Sequence, residues 1–492
     1  MPDHKAIGIV ALACLLSEAC APSQDPNASE SAIAITHVNL IPMDRERVIP
    51  DQTVIVQNGR IASIGPADAT ELPEDVSLVI EGRGRYLMPG LADMHVHLSN
   101  DGVSDPFILS LFLANGVTTV RNMHGNPEIL EWRGRIEEGV LVGPRIYTTG
   151  PILDGEPPYW GGSIAIETPE EAEQEVAAQE EAGYDGIKVL ANMSPEAYEA
   201  VLAAAARHEI RVYGHAPSRL GLENALNSGQ RSFEHMADFM VALLPDDSPV
   251  RARFVDMWGD RTMRDWRGLF LDRYEQADRS KIASLSAKAA AAGVWICPTL
   301  SVRRIGAADA AEFDKRLSDP TMRYVSPQNR SRWERSADFY TSESNDPTIM
   351  QRGLETMLIA VKALHGAGAR LVVGTDAPGS FVLPGFSVHE ELGFFVEAGL
   401  TPFEALAAST RGAAEFLEAS DEFGTVQVGR RADLILLKAN PLEDVRHTSE
   451  LAGAMANGSW FSEQELDAML EDAARGYREA GAEATVPEGR GQ

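Results

Sequence analysis

MPGLADMHVHL, residues 88–98, is the stretch that decides the fold class of this chain. Apolar side chains give residues 91–98 the character of a buried strand, and Pro89-Gly90 marks a turn before it. Successive side chains of a strand point to opposite faces, so His95 and His97 project to the same side. Two imidazoles on one side can chelate a metal, although one His-x-His pair is weak evidence alone.

Strand and helix patterns alternate from this stretch onward. The strand candidates are residues 91–98, 117–123, 145–150, 186–190, 211–216, 232–236, 294–300 and 370–376. Stretches rich in Ala, Glu and Leu separate most of them and are typical of helices. Eight strand–helix units in roughly 325 residues predict an α/β fold, a (β/α)8 TIM barrel over residues 88–419. In that fold the active site lies at the carboxyl ends of the strands.

The two flanks of the barrel have a different texture. Residues 32–87 read as short strands in antiparallel hairpins, with one turn at Asn58-Gly59, and residues 420–460 repeat the pattern. We therefore expect the flanks to pair into one small composite β-sandwich domain. Residues 461–492 predict an acidic amphipathic helix with a disordered end.

Polar residues gather at the carboxyl ends of the predicted strands. A lone histidine in an apolar strand is usually a packed core residue. A set at equivalent ends of five strands is much harder to assign to packing. The set is His95 and His97 on strand 1, Lys188 on strand 4, His215 on strand 5, His235 on strand 6 and Asp376 on strand 8.

This order of residues resembles the amidohydrolase superfamily in its binuclear-metal form. The phrases PGLADMHVHL, GVTTVRNM, GTDAP and GRRADLILLKANPLEDV are similar to the imidazolonepropionase-like amidohydrolases, which include Xaa-Pro dipeptidases. The resemblance covers about residues 33–460. It is specific for fold and metal site and unspecific for substrate.

The resemblance implies two divalent metal ions, each held by its own set of ligands. His95, His97 and Asp376 would hold one ion, His215 and His235 the other, with N-carboxylated Lys188 as the bridging ligand. An ordinary ammonium beside two cations would be repelled, whereas carboxylation turns Lys188 into an anionic oxygen ligand. Zinc is the metal that this mixed nitrogen and oxygen set favours, with manganese, iron and cobalt left open.

The implied function is a metal-dependent hydrolase of an amide or peptide bond. A metal-activated hydroxide would attack the carbonyl, and Asp376 would act as the base. A dipeptide or an N-acyl amino acid is the expected substrate. The alternatives are a cyclic amidase, a lactonase or a deaminase on the same fold, and a non-catalytic binding homologue. Lys188 argues against the deaminases, which usually work with one metal and no bridging lysine.

Five further residues are candidates for substrate binding. They are His124 after strand 2, Tyr159 and Trp160 in the Gly/Pro-rich segment LDGEPPYWGG, and Arg303 and Arg304 just past strand 7. The aromatic pair suits a lid over the active face, and either arginine could bind a substrate carboxylate. A loop histidine and solvated arginines are the competing interpretations.

The charge balance excludes some partners. With 73 Asp+Glu against 43 Lys+Arg, the formal net charge is -30, which disfavours nucleic acid and anionic lipid. Barrels of this kind commonly associate, so a homo-oligomer is an open expectation.

The first residues indicate export. Residues 1–20 carry a short apolar run after a weakly basic start and predict a signal peptide, followed by a polar linker over residues 21–31. Ser-Glu-Ala-Cys20 resembles a lipoprotein cleavage site, with Cys20 as the residue that would carry lipid. We expect a protein of a bacterial envelope, either free in the periplasm or membrane-anchored as a lipoprotein.

Overall fold

The computed structural model describes residues 32–100, 103–105, 107–257, 266–342 and 345–484. The predicted signal peptide, with Cys20, and the linker lie outside the described residues, as does the last part of the predicted tail. Within the described residues, no helix combines the length and the apolar character that crossing a bilayer requires.

Twenty strands are described. They are β1 (Ala32–Leu40), β2 (Ile49–Gln57), β3 (Arg60–Pro66), β4 (Val76–Glu81), β5 (Tyr86–Pro89), β6 (Leu91–Val96), β7 (Ser99–Asn100), β8 (Val103–Ser104), β9 (Val117–Asn122), β10 (Arg145–Thr148), β11 (Leu153–Asp154), β12 (Ile164–Ala165), β13 (Gly186–Val189), β14 (Arg211–Gly214), β15 (Ser232–Glu234), β16 (Trp295–Cys297), β17 (Arg370–Leu371), β18 (Leu434–Leu437), β19 (Leu451–Ala456) and β20 (Ser459–Ser462).

Seventeen α-helices accompany them. They are α1 (Phe107–Ala114), α2 (Pro127–Glu137), α3 (Pro169–Glu181), α4 (Pro195–Arg207), α5 (Leu222–Ala225), α6 (Ala237–Ala242), α7 (Pro249–Met257), α8 (Trp266–Gln276), α9 (Ile282–Ala292), α10 (Ser301–Arg304), α11 (Ala310–Leu317), α12 (Pro327–Tyr340), α13 (Pro347–Gly366), α14 (Ser387–Glu397), α15 (Pro402–Ala408), α16 (Arg411–Phe416) and α17 (Glu463–Ala484).

The flanks of the chain pair with each other, as expected from their shared texture. Strand β18 lies antiparallel to β5 and places both flanks in one eight-stranded sheet, in the order β20-β19-β18-β5-β1-β2-β3 with β4 on β1. Asn58 and Gly59 both adopt positive φ and join β2 to β3, the hairpin turn that the Asn-Gly pair predicts. The two-layer sandwich stays a prediction.

One prediction for this region is wrong. Strands β4 and β5 pair with β1 in parallel, whereas a run of antiparallel hairpins was expected. The segment between β3 and β4 includes a short 3-10 helix over Ala67–Ala69. This connecting segment crosses the sheet from β3 to β1. Strand β4 therefore runs in the same direction as β1, as a parallel pair requires.

All eight strands predicted for the central domain are present. They are β6, β9, β10, β13, β14, β15, β16 and β17, and they run parallel in two sheets of order β10-β9-β6 and β12-β11-β13-β14-β15-β16-β17. A parallel bridge between Thr149 and Gly186 links β10 to β13, and one between Val96 and Ala377 links β6 to the segment after β17. The domain is therefore α/β and TIM-barrel-like.

The long insertions after β15 and β16 are helical. Helices α6 to α8 follow β15, and α10 to α13 follow β16, on the side where the strands end. Helix α17 packs on α1, where the ring of Tyr477 lies 5.3 Å from that of Phe107 and its hydroxyl donates to Asp105 at 2.8 Å. The acidic tail is thus helical as far as Ala484.

Candidate metal centre

A cavity of about 290 Å³ lies at the carboxyl ends of the parallel strands of the central domain. Parallel strands that surround one axis bring their ends to one face, so residues far apart in sequence meet there. The lining includes all six residues predicted as metal ligands: His95, His97, Lys188, His215, His235 and Asp376.

Three of these residues lie close enough together to bind one metal ion. Nitrogen atoms of His95 and His235 and a carboxylate oxygen of Asp376 all lie within 4.8 Å of one another. The ring of His235 is 4.6 Å from that of His95 and 5.0 Å from that of His215. Nitrogen and oxygen donors at such spacing suit zinc and other divalent transition metals.

The hydrogen bonding of His95 tests whether this set fits a metal. Its Nδ1 lies 2.8 Å from Glu234, whose carboxylate can only accept, so Nδ1 carries the proton. Its buried Nε2 has no hydrogen-bond partner among the described residues and faces the cavity. A carboxylate that fixes one ring nitrogen and leaves the other open is the usual support of a metal-binding histidine. The residues fit a metal.

A buried ion pair that was not predicted from the sequence supports His95. Glu234, next to His235 on β15, is fully buried and pairs with Arg121 of β9 at 2.9 Å. Burial raises the pKa of Glu234, but Arg121 and His95 outweigh it and hold the pKa well below its usual range. A charged residue inside the β-branched strand pattern VTTVRN was the available signal for Arg121.

Asp376 is held by hydrogen bonds to the segment that carries His95 and His97. Its backbone N–H donates to the carbonyl of His95 at 2.7 Å, and its Oδ1 accepts from His97 Nε2 at 2.9 Å. The buried Asp93 carboxylate accepts from the hydroxyl and N–H of Thr375 at 2.6 and 2.9 Å. Burial raises the pKa of Asp376, but His235, His97 and His95 outweigh it and hold it well below its usual range.

Two of the ligand candidates have unusual backbone conformations. His235 and Asp376 adopt φ of 63° and 62°, in the left-handed region that residues with a Cβ rarely occupy. His235 directly follows β15, and Asp376 lies in the segment after β17; at both places the turn redirects the side chain. Strain of this kind costs about 1–3 kcal/mol per residue and is concentrated at functional sites.

Lys188 lies in the interior of the site on β13. Its side chain is 2% exposed, and burial lowers the pKa of its amine to about 8. A fraction of the amine is therefore neutral near pH 7, and only the neutral form can react with carbon dioxide to form a carbamate.

The predicted substrate-binding residues separate into two groups. His124, Tyr159, Trp160 and Arg303 line the same cavity as the ligand candidates, together with Phe270 and Arg332, which the sequence argument did not single out. Arg304 lies elsewhere. Its guanidinium pairs with Glu390 at 3.2 Å and stacks over Phe394.

The local fold explains why neighbouring arginines diverge. Residues 301–304 form α10, and each helical residue turns the side-chain direction by about 100°. Arg303 therefore faces the cavity, while Arg304 faces α14.

Comparison with known proteins agrees with this architecture. The profile described as "Amidohydrolase family" matches residues 86–461. An ochratoxinase of Aspergillus niger is 23% identical over 480 residues, covering 85% of this chain and 83% of the relative. An imidazolonepropionase of Micrococcus luteus is 26% identical over 417 residues, covering 80% and 89%. A solved Xaa-Pro dipeptidase with bound methionine in the active site superposes with a TM-score of 0.60 at 19% identity, covering 88% and 100%.

The TIM-barrel-like domain and the polar cavity at its strand ends are those of a hydrolase of the amidohydrolase type. The chain belongs to the amidohydrolase family and is a hydrolase acting on carbon–nitrogen bonds. The resemblance to imidazolonepropionase-like and Xaa-Pro dipeptidase-like members, inferred from its motifs, is confirmed.

Proposed function

We propose that this protein is a metal-dependent hydrolase of an amide or peptide bond, with two divalent ions held by His95, His97, His215, His235 and Asp376 and bridged by N-carboxylated Lys188. The observation that carries the proposal is the convergence of these six side chains, from five strands, on one cavity. A closed (β/α)8 barrel with a flanking β-sandwich is the scaffold in this proposal, supported by the bridges that link β10 to β13 and β6 to the segment after β17.

The metal ions, when bound, would supply a water of lowered pKa and an electrophile for the carbonyl oxygen. Asp376 is ionised at neutral pH, because its pKa is held low, and its carboxylate can take a proton and pass it on. In the overall reaction the C–N bond breaks, the hydroxyl of water goes to the acyl carbon and its proton goes to the nitrogen. Glu234 holds the ring of His95 in one tautomer throughout.

The substrate in this proposal is a dipeptide or an N-acyl amino acid. A Xaa-Pro dipeptidase with methionine bound in its active site is among the structures that this chain resembles, which supports a peptide bond to an amino acid. The cavity also contains two guanidinium groups, Arg303 and Arg332, which suit a carboxylate. Lys188 in the same cavity argues against the single-metal deaminases.

Substitution of Asp376 by Asn tests the proposal. Purified protein is assayed on a panel of dipeptides and N-acyl amino acids, before and after removal of metal with a chelator. We expect metal-dependent release of the amino acid by the wild type and a loss of about 10²-fold or more in Asp376→Asn. The exposed Asp472→Asn is the matched control and should keep full activity. Undiminished turnover by Asp376→Asn, or by metal-free protein, would contradict the proposal.

Export belongs to the same proposal. It is supported by the apolar run and the Cys20 motif within residues 1–20, with lipid attachment at Cys20 or simple cleavage as its two forms. We also propose a homo-oligomer, because barrels of this kind commonly associate.

A further inference from the structure

A second cavity adjoins the metal centre. It has a volume of about 340 Å³, and three residues, His215, Phe270 and Arg303, line both cavities. The remaining walls come from α5 to α8 and from the segment after β14, and they include Leu222 and Phe254. A substrate bound at the metal centre could therefore extend one side chain into this space.

Four arginines give the second cavity a positive lining, and among the described residues Arg251 alone of the four has an ion pair, with Asp246; the others are Arg219, Arg273 and Arg303. Arg273 of α8 is 1% exposed, and among the described residues its guanidinium donates only to neutral groups, the hydroxyl of Tyr274 at 3.0 Å and the carbonyl of Ala237 at 3.4 Å. Neither Arg273 nor Arg303 forms an ion pair with the described residues, and the Nε of each is buried there without a hydrogen-bond partner. A buried cation without a paired anion is costly, so Arg273 indicates an absent anionic partner, and the part-buried Arg303 adds to the positive charge.

Asp238, a buried carboxylate of this cavity, is attracted by Arg273 and Arg303 but forms no ion pair with either among the described residues. Asp238 accepts a hydrogen bond from the N–H of Ala216 at 2.9 Å, on the side of His215. Glu223 pairs with Lys288 at 3.0 Å. The rings of Phe254 and Phe270 stack on the Arg273 guanidinium, with centroids 5.1 and 4.5 Å away. These aromatic contacts partly compensate for burial of the cation and hold it in place at the cavity wall.

We propose that the second cavity binds the acidic side chain of the residue released by hydrolysis, so that the preferred substrate is a dipeptide or N-acyl derivative of glutamate or aspartate. Arg303, at the boundary of the two cavities, binds the α-carboxylate, and Arg273 binds the side-chain carboxylate. This inference rests on the proposed function and adds the substrate class. The chain as a whole has a net charge of -30, so a positively charged cavity is a local exception. Its charge favours binding of an anionic ligand.

A pair of isosteric substrates tests this. Glycyl-L-glutamate and glycyl-L-glutamine differ in side-chain charge and hardly in shape. We expect kcat/KM at least about tenfold higher for the glutamate compound, since a charge-assisted hydrogen bond is worth about one to two orders of magnitude. Arg273→Met should abolish this preference, mainly by raising KM for the glutamate compound. Arg304→Met is the matched control, because Arg304 lies outside both cavities, and it should retain the preference.

Equal turnover of the two compounds by the wild type, or an equal loss on both in Arg273→Met, would overturn the proposal. If Arg273→Met does not fold, Arg303→Met at the cavity boundary replaces it, with the prediction that KM rises for both compounds. Calorimetric titration of the metal-loaded protein with L-glutamate and L-glutamine needs no turnover. Tighter binding of L-glutamate, lost in the Arg273 variant, would uphold this subsite even if no C–N hydrolysis were found. Equal binding would overturn it.

Discussion

His389 shows how burial sets the charge of a single residue in this fold. It lies on α14, where its Nδ1 is 2.8 Å from the hydroxyl of Thr448 and its Nε2 is buried without a hydrogen-bond partner among the described residues. Burial lowers its pKa from 6.5 to about 4. The folded protein therefore keeps this ring neutral over a range in which the unfolded chain protonates it.

This difference predicts a pH-dependent contribution to stability. The stabilisation from neutral His389 is fully present above pH 6.5 and is lost as the pH falls towards 4, because the unfolded state binds the proton first. Between pH 7.5 and 4.5 the free energy of unfolding of the wild type should fall by about 2 kcal/mol relative to His389→Gln. Urea unfolding of both proteins across this range is the measurement. A difference that does not change with pH would contradict the assigned pKa.

Arg303 and Arg304 show what could and could not be predicted for single residues. Both follow a strand end, and the sequence therefore offered both for carboxylate binding. The distinction between them depends on where α10 begins, and a four-residue helix leaves little periodicity to read. Glu234 and Arg121 were missed for a related reason, since a buried pair and a solvated pair use the same residue types.

Among the elements, the barrel strands were the most predictable. Short apolar runs separated by amphipathic helices predicted all eight strands. The histidines at the strand ends indicated the face that carries the site. The predicted segments extend past the observed strands, most clearly the last, where only Arg370–Leu371 is extended strand. Residues beyond the strand ends form the irregular turns that present His235 and Asp376 to the cavity.

The segment after β17 packs so closely on β6 and β16 that a Cβ at Gly374 would clash with both. A Cβ on Gly374 would lie 2.4 Å from the Sγ of Cys297 and 2.8 Å from the backbone N of His95. Both neighbours are buried, so backbone or core would have to shift.

We expect Gly374→Ala to lower the free energy of unfolding by about 1–3 kcal/mol and to lower bound metal, because it displaces His95. Gly366→Ala, near the end of α13, is the matched control. A Cβ there meets no atom within 4 Å, so that variant should be neutral or slightly more stable. Urea unfolding and elemental analysis of the three proteins provide the comparison. A Gly374→Ala protein with normal stability and metal content would show that the packing is looser than described.

For the whole molecule, the notable feature is that its two ends build one sheet. Leu87 of β5 pairs with Leu436 of β18, so one sheet contains residues that precede the central domain in sequence and residues that follow it. The shared texture of the flanks predicted this pairing. The parallel placement of β4 and β5 on β1 was not predictable, because strand direction depends on how the connecting segment crosses the sheet.

The central claim is that Lys188 and its neighbours hold two metal ions in a hydrolase of carbon–nitrogen bonds. Its most direct test is the metal content of purified wild type, Lys188→Ala and Lys438→Ala, determined by elemental analysis. Lys438 pairs with Glu463 at the surface and serves as the control. We expect close to two metal ions per chain in the wild type and in Lys438→Ala, with a sharp fall in Lys188→Ala. One ion per chain, unchanged by loss of Lys188, would contradict the bridged pair.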